Sequence, residues 1–384
     1  MFPRVKPALA RAWRDLQTVQ FGVTPAHAVV LGPVDTATGA FIDRIDGTRG
    51  MELLRAEATR MGLPDGLADA LVRRLAGAGL LDDATAGGPR AQALRRHPET
   101  LERLGPDLGS LSLVHREPGG DLRGIAARRA IRVRVRGGGR VGAAIAAVLA
   151  GAGVGRVEVL DGGRVEPADV APGGLGPASV GRMRSEAAAA VVRSAAPGPG
   201  PRAGQEEGPE PGLALVVVAP RDGLDAWAPD PDTAADWVAS GIPHLYAGVV
   251  EGTGLVGPLV LPGTTACAGC MERDRVERDA AWPRMLVQWR SSHRRRGSAS
   301  CDLGLSTAVA GLAAAHALAF LDGQLPASTG ARCEAALPVL RWESAPVRPH
   351  PDCPCGAAAE SAPRLQPAGR APGGGSGANP PGGP

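Results

Sequence analysis

Apolar and polar residues follow two different periods in the first 83 residues, and each period predicts one kind of element. Short apolar runs at residues 19–23 and 28–34, separated by the turn signal Thr24-Pro25, predict a pair of strands. Apolar residues then recur at helical spacing and predict three short helices, at residues 37–45, 51–61 and 67–81. Strands followed by three helices predict a small winged-helix-like α+β domain over residues 13–83.

A second pattern runs from residue 130 to residue 356, where strand-like apolar runs alternate with helical periods. It predicts strands at residues 131–135, 157–160 and 213–219, with helices at 141–150 and 182–194 between them. This alternation is typical of a Rossmann-like, mostly parallel sheet in an α/β fold. Residues 197–212, which stand where a third strand would follow, are too rich in proline and glycine to form a central strand.

Two segments show neither period. Residues 84–129 are polar, with scattered glycine and proline, and predict a connector with some helix around residues 90–104. Residues 357–384 are rich in alanine, glycine, proline and serine, a composition that predicts a disordered tail. Folded segments separated by such regions account for a chain with 55 glycines and 36 prolines that is still 44% hydrophobic.

Charge and hydropathy exclude several classes of partner. The 42 basic and 39 acidic residues leave a net charge of +3, which creates no field able to hold nucleic acid or an anionic membrane. Between Met51 and Asp83, four arginines are outnumbered by six acidic residues, the wrong sign for a DNA-binding surface. The N-terminus lacks the apolar core of a secretory signal, and the apolar segment 303–321 is predicted to be a buried helix. These features predict a cytoplasmic protein.

A glycine-rich loop joins the first strand of the second pattern to its first helix. Gly137, Gly139 and Gly142 form the spacing G-x-G-x-x-G, in which glycines let a phosphate approach backbone N–H groups at a helix N-terminus. Asp161 ends the following strand, at the distance of about 20 residues where a ribose-binding acid is expected. The loop and this acid predict a nucleotide-binding site.

Four of the six cysteines form two close pairs. Cys267 and Cys270 have the C-x₂-C spacing of a zinc knuckle, and Cys353 and Cys355 form a tighter C-x-C pair. Four thiolates suit a tetrahedral zinc ion, so the sequence predicts a structural zinc site. For the remaining Cys301 and Cys333, a buried structural thiol is favoured over a catalytic role.

Several of these segments together resemble one family. They are the glycine loop at 137–142, residues 149–170 (LAGAGVGRVEVLDGGRVEPADV), 180–192 (VGRMRSEAAAAVV) and 241–270, which ends in CAGC. In order and spacing they resemble the ThiF/MoeB adenylyltransferases, which are related to ubiquitin-activating enzymes. The resemblance covers residues 131–356 and implies a homodimer that activates a C-terminal carboxylate with ATP and Mg²⁺. It also implies that Asp161 holds the ribose and that Arg184 replaces the family's phosphate-contacting lysine.

The sequence departs from this family at several positions. Gly163 stands at the second acid of the family's D-x-D motif, and Asp169 and Pro172 replace an asparagine and an arginine. After the fourth strand only Asp222 is available as the family's acid. These losses leave the catalytic residues unassigned and favour a protein without the family's activity.

The first domain resembles a different family. Its strands, residues 41–50 (FIDRIDGTRG) and the helix with residues 71–81 (LVRRLAGAGLL) resemble PqqD-type peptide-binding domains. In such a clamp a peptide strand adds to the edge of the sheet. A plain structural subdomain is the alternative.

A peptide clamp joined to a ThiF-like domain with zinc resembles the leader-peptide-binding proteins of azole and azoline peptide biosynthesis. The resemblance implies a catalytically silent protein that binds a precursor (leader) peptide and presents it to a partner cyclodehydratase. The alternative is an active ATP-dependent adenylyltransferase acting on the C-terminus of a peptide or carrier protein. The sequence leaves both hypotheses open.

Overall fold

The computed structural model describes residues 1–198, 212–293 and 300–360. The first 83 residues form β1 (Pro3–Val5), β2 (Arg11–Asp15), β3 (Thr18–Phe21), β4 (Val29–Leu31), α1 (Thr36–Ile42), α2 (Met51–Arg60), α3 (Leu67–Gly77) and β5 (Leu81–Asp83). β2, β3 and β4 form an antiparallel sheet in that order, and β1 pairs with β5. Phe21, Phe41, Leu54 and Leu75 are fully buried in its core. The predicted strand pair and three helices therefore form a small α+β domain.

The third helix is shorter than its apolar pattern predicts. α3 ends at Gly77, and Gly79 has a φ of +73°. The Leu80 N–H donates to the Leu75 carbonyl at 2.9 Å, the bond that closes a helix with a left-handed glycine. Because the chain reverses there, Leu81 begins β5 and pairs with Val5 instead of extending the helix.

Residues 84–129 contain four helices: α4 (Gly88–Arg95), α5 (Pro98–Arg103), α6 (Gly105–Val114) and α7 (Gly120–Arg128). Their apolar sides bury Leu94, Leu104, Leu111 and Ile125 in a core of their own. The sequence predicts helix only around residues 90–104, because each helix is short and glycines and prolines interrupt the apolar period. The segment predicted as a polar connector is thus largely helical.

The second half of the chain is a seven-stranded sheet flanked by helices. Its elements are β6 (Arg132–Arg136), α8 (Arg140–Gly151), β7 (Arg156–Leu160), α9 (Arg184–Ala195), β8 (Leu213–Val218), α10 (Leu224–Trp227), α11 (Pro231–Ala239), β9 (His244–Val250), β10 (Thr253–Val260), α12 (Ala268–Arg278), α13 (Trp282–His293), α14 (Leu303–Leu321), β11 (Ala331–Ala336), β12 (Glu343–Pro346) and α15 (Ala357–Glu360). The strand order is β12-β11-β10-β9-β8-β6-β7. β7, β6, β8 and β9 are parallel, and β10, β11 and β12 continue the sheet in antiparallel pairs. This architecture confirms the predicted α/β fold class.

Helices cover both faces of the sheet. On one face α8 and α14 pack over a core that includes Val133, Val217 and Leu245. On the other face α11 and α12 pack over Val216 and its neighbours. By length and composition α14 is apolar enough to cross a membrane, but one of its sides is buried in the sheet core, at Val309 and neighbouring residues.

β7 is the edge strand at one end of this sheet. A doubly wound sheet would place a further strand beyond it, and the described residues contain none there. Most of the proline- and glycine-rich stretch 197–212 lies outside the described residues. The predicted disordered tail, residues 357–384, also lies outside them apart from α15.

A buried ion pair fastens the helical segment to the sheet domain. Arg128, at the end of α7, donates two hydrogen bonds to Asp322 just after α14, from Nε to Oδ1 at 2.8 Å and from Nη2 to Oδ2 at 2.6 Å. The two side chains are only 6% and 7% exposed. Arg128 Nη1 also donates to the Ala152 carbonyl at 3.2 Å. Because buried charges are costly unless paired, each partner depends on the other.

Replacing Asp322 by asparagine should therefore destabilise the protein by about 3–5 kcal/mol, because the buried guanidinium of Arg128 loses its counter-charge. Urea denaturation followed by circular dichroism measures the change in unfolding free energy. The matched control is Asp274→Asn, which removes an exposed carboxylate from its pair with Arg278 and should change stability by no more than about 0.5 kcal/mol. Equal effects of the two substitutions would contradict the role of the buried pair.

Candidate functional site

The glycine loop connects β6 to α8 at the carboxyl edge of the parallel strands, where ligands bind in open α/β sheets. Gly137 has a φ of +112°, and a Cβ there would lie 1.9 Å from the carbonyl oxygen of Ala219. A Cβ at Gly142, in the first turn of α8, would lie 2.0 Å from the Gly137 oxygen. The loop folds so tightly against the end of β8 that no side chain fits at either position, and glycine at both positions permits this approach.

Asp161 closes the loop from the side of β7. Its Oδ2 accepts a hydrogen bond from the Gly138 N–H at 2.8 Å, and its Oδ1 accepts from the Gly163 N–H at 2.8 Å and from Arg184 Nε at 2.9 Å. The side chain is 9% exposed. The structure thus places the predicted ribose-binding acid at the glycine loop, with three donors from the chain itself on its two oxygens.

A second carboxylate, Asp169, binds two arginines beside the loop. Its Oδ2 lies 3.3 Å from Arg184 Nη1, and its Oδ1 lies 2.6 Å from Arg221 Nε. Arg221 also pairs with Glu166, with 2.6 Å between Nη2 and Oε2. We call these five residues, including Asp161, the arginine network. It joins the loops that follow β7 and β8 to the start of α9.

Arg184 occupies the space of a missing side chain. A Cβ on Gly163 would lie 1.9 Å from Arg184 Nη2, so an acid at this second D-x-D position is incompatible with the observed guanidinium. Arg184 Nη1 also donates to the backbone oxygen of Arg164 at 2.6 Å. The departure at Gly163 and the position of Arg184 are therefore two parts of one local arrangement.

A cavity of about 880 Å³ opens beside the arginine network. It brings together four residues singled out from the sequence, Gly137, Asp161, Arg184 and Asp222, while Gly139 and Gly142 belong to the same loop. Arg221, Arg290, residues of α10 and α11 and Tyr246 also line it. Burial raises the pKa of Tyr246, so its phenol is a neutral hydroxyl at physiological pH.

The four cysteines predicted to bind zinc meet on the α11 and α12 side of the sheet. The Sγ–Sγ distances are 3.9 Å for Cys267 and Cys270, 3.6 Å for Cys267 and Cys353, and 3.5 Å for Cys270 and Cys355. A tetrahedral ion with metal–sulfur bonds of about 2.3 Å separates its sulfur ligands by about 3.8 Å. The four-cysteine group therefore fits a metal ion.

The two cysteines of the knuckle differ in proton affinity. The Cys267 thiol donates a hydrogen bond to the Cys270 sulfur, which raises the pKa of Cys267 and lowers the pKa of Cys270. Metal ions bind the deprotonated sulfur, so a bound ion would displace the proton that these two sulfurs share. Cys333, buried in β11, and Cys301, just before α14, do not belong to the group.

The sequence does not mark Arg221 or Glu166 as part of the site. Arg221 follows β8 in a turn without a motif, and it reaches the glycine loop because β8 lies next to β6. A Cβ on Gly139 would lie 3.1 Å from Arg221 Cγ, which shows how closely the arginine covers the loop. Asp169 is the signal in the sequence that could have indicated Arg221, because a carboxylate in place of the family's asparagine needs a cationic partner if it is buried.

Residues 121–355 match the model of the ThiF family. The chain belongs to the ThiF family. The matched range covers more than half of the chain and includes the glycine loop, the arginine network and the four-cysteine group. No curated protein sequence matches the chain significantly.

Solved structures share the fold of this ThiF-family chain over most of its length. E. coli MccB with ATP is 15% identical, with a TM-score of 0.62, and the alignment covers 92% of this chain and 99% of MccB. The microcin C7 biosynthetic enzyme MccB in complex with N-formylated MccA gives the same four values. PaaA is 16% identical, with a TM-score of 0.65 and coverage of 89% and 99%. At such identities the likeness establishes the fold, and it extends to the N-terminal domain.

Proposed function

We propose that this ThiF-family protein binds a precursor (leader) peptide through its N-terminal domain and presents it to a partner cyclodehydratase. Its own adenylyltransferase site has degenerated in this proposal. A homodimer and a cytoplasmic location belong to the same proposal, on the family likeness and on the sequence respectively.

The arginine network is the main support for a degenerated adenylyltransferase site. Asp161 has donors on both oxygens, and Arg184 donates to Asp161, Asp169 and a backbone oxygen. The Asp161 carboxylate and the Arg184 guanidinium, which would bind the ribose and a phosphate, therefore already have partners within the chain. A nucleotide would have to compete with these contacts, and Pro172 cannot supply the cation that the family has at its position.

The N-terminal domain offers a sheet edge to a peptide strand. In the described part of the chain β4 pairs with β3 alone, so its outer edge is open. Arg74 of α3 donates to the backbone oxygen of Gly32, directly after β4, so α3 reaches the end of this strand. Val30, in the middle of β4, is 50% exposed. A strand added here would gain main-chain hydrogen bonds, and side chains of α3 would contribute specificity. The resemblance to PqqD-type domains and the fold shared with MccB, solved with MccA, support this role.

Val30→Asp should weaken leader-peptide binding at least about tenfold, because a charge on an exposed strand edge opposes pairing with a further strand. Fluorescence anisotropy of a labelled candidate leader peptide measures the affinity of the full chain. Leu53→Asp is the matched control, since Leu53 lies on α2 and is 58% exposed, and it should leave the affinity unchanged. Equal losses in both variants, or no binding by the unaltered chain, would contradict the clamp.

An active adenylyltransferase is the second candidate, and one observation favours it. Gly137, Asp161, Arg184 and Asp222 line one cavity of about 880 Å³, and MccB of the same fold is solved with ATP. In that case Asp161 would hold the ribose and Arg184 a phosphate, which the arginine can bind as a charged donor. ATP would supply the adenylyl group that activates the carboxylate.

The first proposal predicts no ATP–pyrophosphate exchange above background when the chain is mixed with the leader peptide or its full precursor, because the network withholds Asp161 and Arg184 from the nucleotide. Incorporation of radiolabelled pyrophosphate into ATP measures this exchange. Asp65→Ala, at an exposed loop aspartate, is the control. The active enzyme would be established instead if exchange occurs, falls at least about 100-fold in Asp161→Ala and persists in Asp65→Ala. Peptide binding measured on the same samples tests the clamp separately.

The four-cysteine group completes the proposal with structural zinc. Four thiolates fill a tetrahedral coordination shell and leave no position for a substrate, as is typical of structural zinc sites. Cys267 and Cys270 lie at the start of α12 and the other pair lies near the end of the described chain, so zinc would tie these two segments together.

Elemental analysis should find one zinc ion per chain, and Cys270→Ser should abolish stoichiometric zinc and lower the melting temperature, because three thiolates hold the ion far less tightly than four. Inductively coupled plasma mass spectrometry of the purified chain measures the zinc content. Cys333→Ser is the control, since this buried cysteine lies in β11 outside the group, and it should retain one zinc per chain. A wild-type chain purified without zinc, or equal zinc loss in both variants, would refute the assignment.

A further inference from the structure

His350 precedes the second cysteine pair by three positions, and all four of its polar groups make hydrogen bonds. Its backbone N–H donates to the Cys270 sulfur, and its backbone oxygen accepts the Cys353 N–H at 3.1 Å. Ring atom Nδ1 accepts the Asp352 N–H at 3.1 Å, and Nε2 lies 2.7 Å from Glu277 Oε1 in α12. One residue therefore contacts a cysteine of each pair and a side chain of α12.

The ring of His350 is held in one orientation. The side chain is 7% exposed, and a ring nitrogen withdrawn from water in this way needs a partner in the chain. Since Nδ1 accepts an N–H, the ring proton is assigned to Nε2, which donates it to the Glu277 carboxylate. Both nitrogens are thereby engaged within the chain, so His350 does not serve as a metal ligand in this arrangement.

Helix α12 presents its metal-binding end and the partner of this ring on one side. Cys270, Arg273 and Glu277 are separated by three and four positions, so they lie along the same face of the helix. Arg273 Nη1 donates to the Gly269 carbonyl at 3.1 Å and lies 3.8 Å from the Cys353 sulfur. α12 therefore supplies one candidate ligand and two side chains that reach the segment of the second pair.

The second cysteine pair has a tighter spacing than a zinc knuckle. The C-x₂-C spacing supplies two sulfurs from one turn, whereas Pro354 alone separates Cys353 from Cys355. Each sulfur of this pair nevertheless faces one sulfur of the first pair, at 3.6 Å and 3.5 Å. Such a match requires the segment that leads into Cys353 to be held in place, and the hydrogen bonds of His350 hold it.

We propose that His350 is a positioning residue of the four-cysteine group. Through Glu277 its ring fastens the segment of the second cysteine pair to α12, so that the four sulfurs stand at ligand distance before an ion binds. Hydrogen-bonding partners that orient metal ligands typically contribute about 10–100-fold to metal affinity. The inference rests on the structural zinc of the proposed function, whereas leader-peptide binding and ATP play no part in it.

His350→Ala and Glu277→Ala should each weaken zinc binding by the full chain about 10–100-fold, because each removes the bond between the ring and α12. Equilibration of the zinc-loaded chain with a chelator of known zinc affinity measures the change. The double variant should bind zinc no more weakly than His350→Ala alone, since both changes remove one interaction. Asp274→Ala, at an exposed α12 carboxylate paired with Arg278, is the matched control and should leave the affinity unchanged.

His350→Gln tests whether the bond to α12 is the decisive one. Its side-chain amide keeps an N–H donor for Glu277, so this variant should recover most of the zinc affinity that His350→Ala loses. The recovery should disappear when His350→Gln is combined with Glu277→Ala. Glu277 is 66% exposed, so its replacement leaves the packing of the chain intact. No recovery, or recovery that persists without the Glu277 carboxylate, would overturn the positioning role.

Cobalt(II) in place of zinc distinguishes positioning from ligation, because its visible absorption reports the number of thiolates around the ion. At saturating cobalt the spectrum of His350→Ala should equal that of the wild-type chain. A changed spectrum, zinc affinity unaltered in His350→Ala and Glu277→Ala, or a second zinc ion that His350→Ala removes would overturn the assignment. A wild-type chain that binds neither zinc nor cobalt would refute the structural zinc, and this inference with it, so the two failures are distinguishable.

Discussion

The arrangement of the loops above the parallel strands depends on the carboxylate of Asp169. This side chain is 3% exposed, and a charge withdrawn from water in this way needs charged donors on both oxygens. Arg184 and Arg221 supply them, the first from the start of α9 and the second from the chain after β8. One buried charge thus fixes three separate segments. It also holds the Arg184 guanidinium in the place where the family has its second acid, against Asp161.

Elements with a strong local pattern can be predicted from this sequence, and elements decided by distant pairing cannot. The alternation after residue 130 predicts the elements from β6 to β8, and the long apolar run predicts α14, because each shows its own period; the strands and helices between β8 and α14, and those after α14, are not predicted. α3 shows the limit, since Leu80 and Leu81 continue its apolar pattern while the left-handed Gly79 and the pairing with β1 decide their conformation. Between residues 84 and 129 the sequence predicts helix only around residues 90–104, where α4 and α5 lie, and α6 and α7 are missed because they are too short to establish a period.

The candidate site divides in the same way. Asp161, the glycine loop and the two cysteine pairs can be found as candidates in the sequence, because each is recognised by a spacing within a short stretch of chain. The contact of Arg221 with Asp169 cannot be predicted from the sequence, because the two residues are 52 positions apart and the order of strands in the sheet brings them together. Gly163 is visible in the sequence as a departure from the family, but the guanidinium that fills its space is visible only in three dimensions.

The separation of the two cysteine pairs along the chain has a consequence for the order of folding. Contacting sulfurs of the two pairs are 85 and 86 positions apart. Between them the chain leaves the face that carries α12, packs α14 on the opposite face and returns through β11 and β12. Bringing the ends of so long a loop together costs conformational entropy, which the contacts of α14 and β11 repay. We therefore expect the two cysteine pairs to meet late in folding, after the antiparallel edge of the sheet has formed.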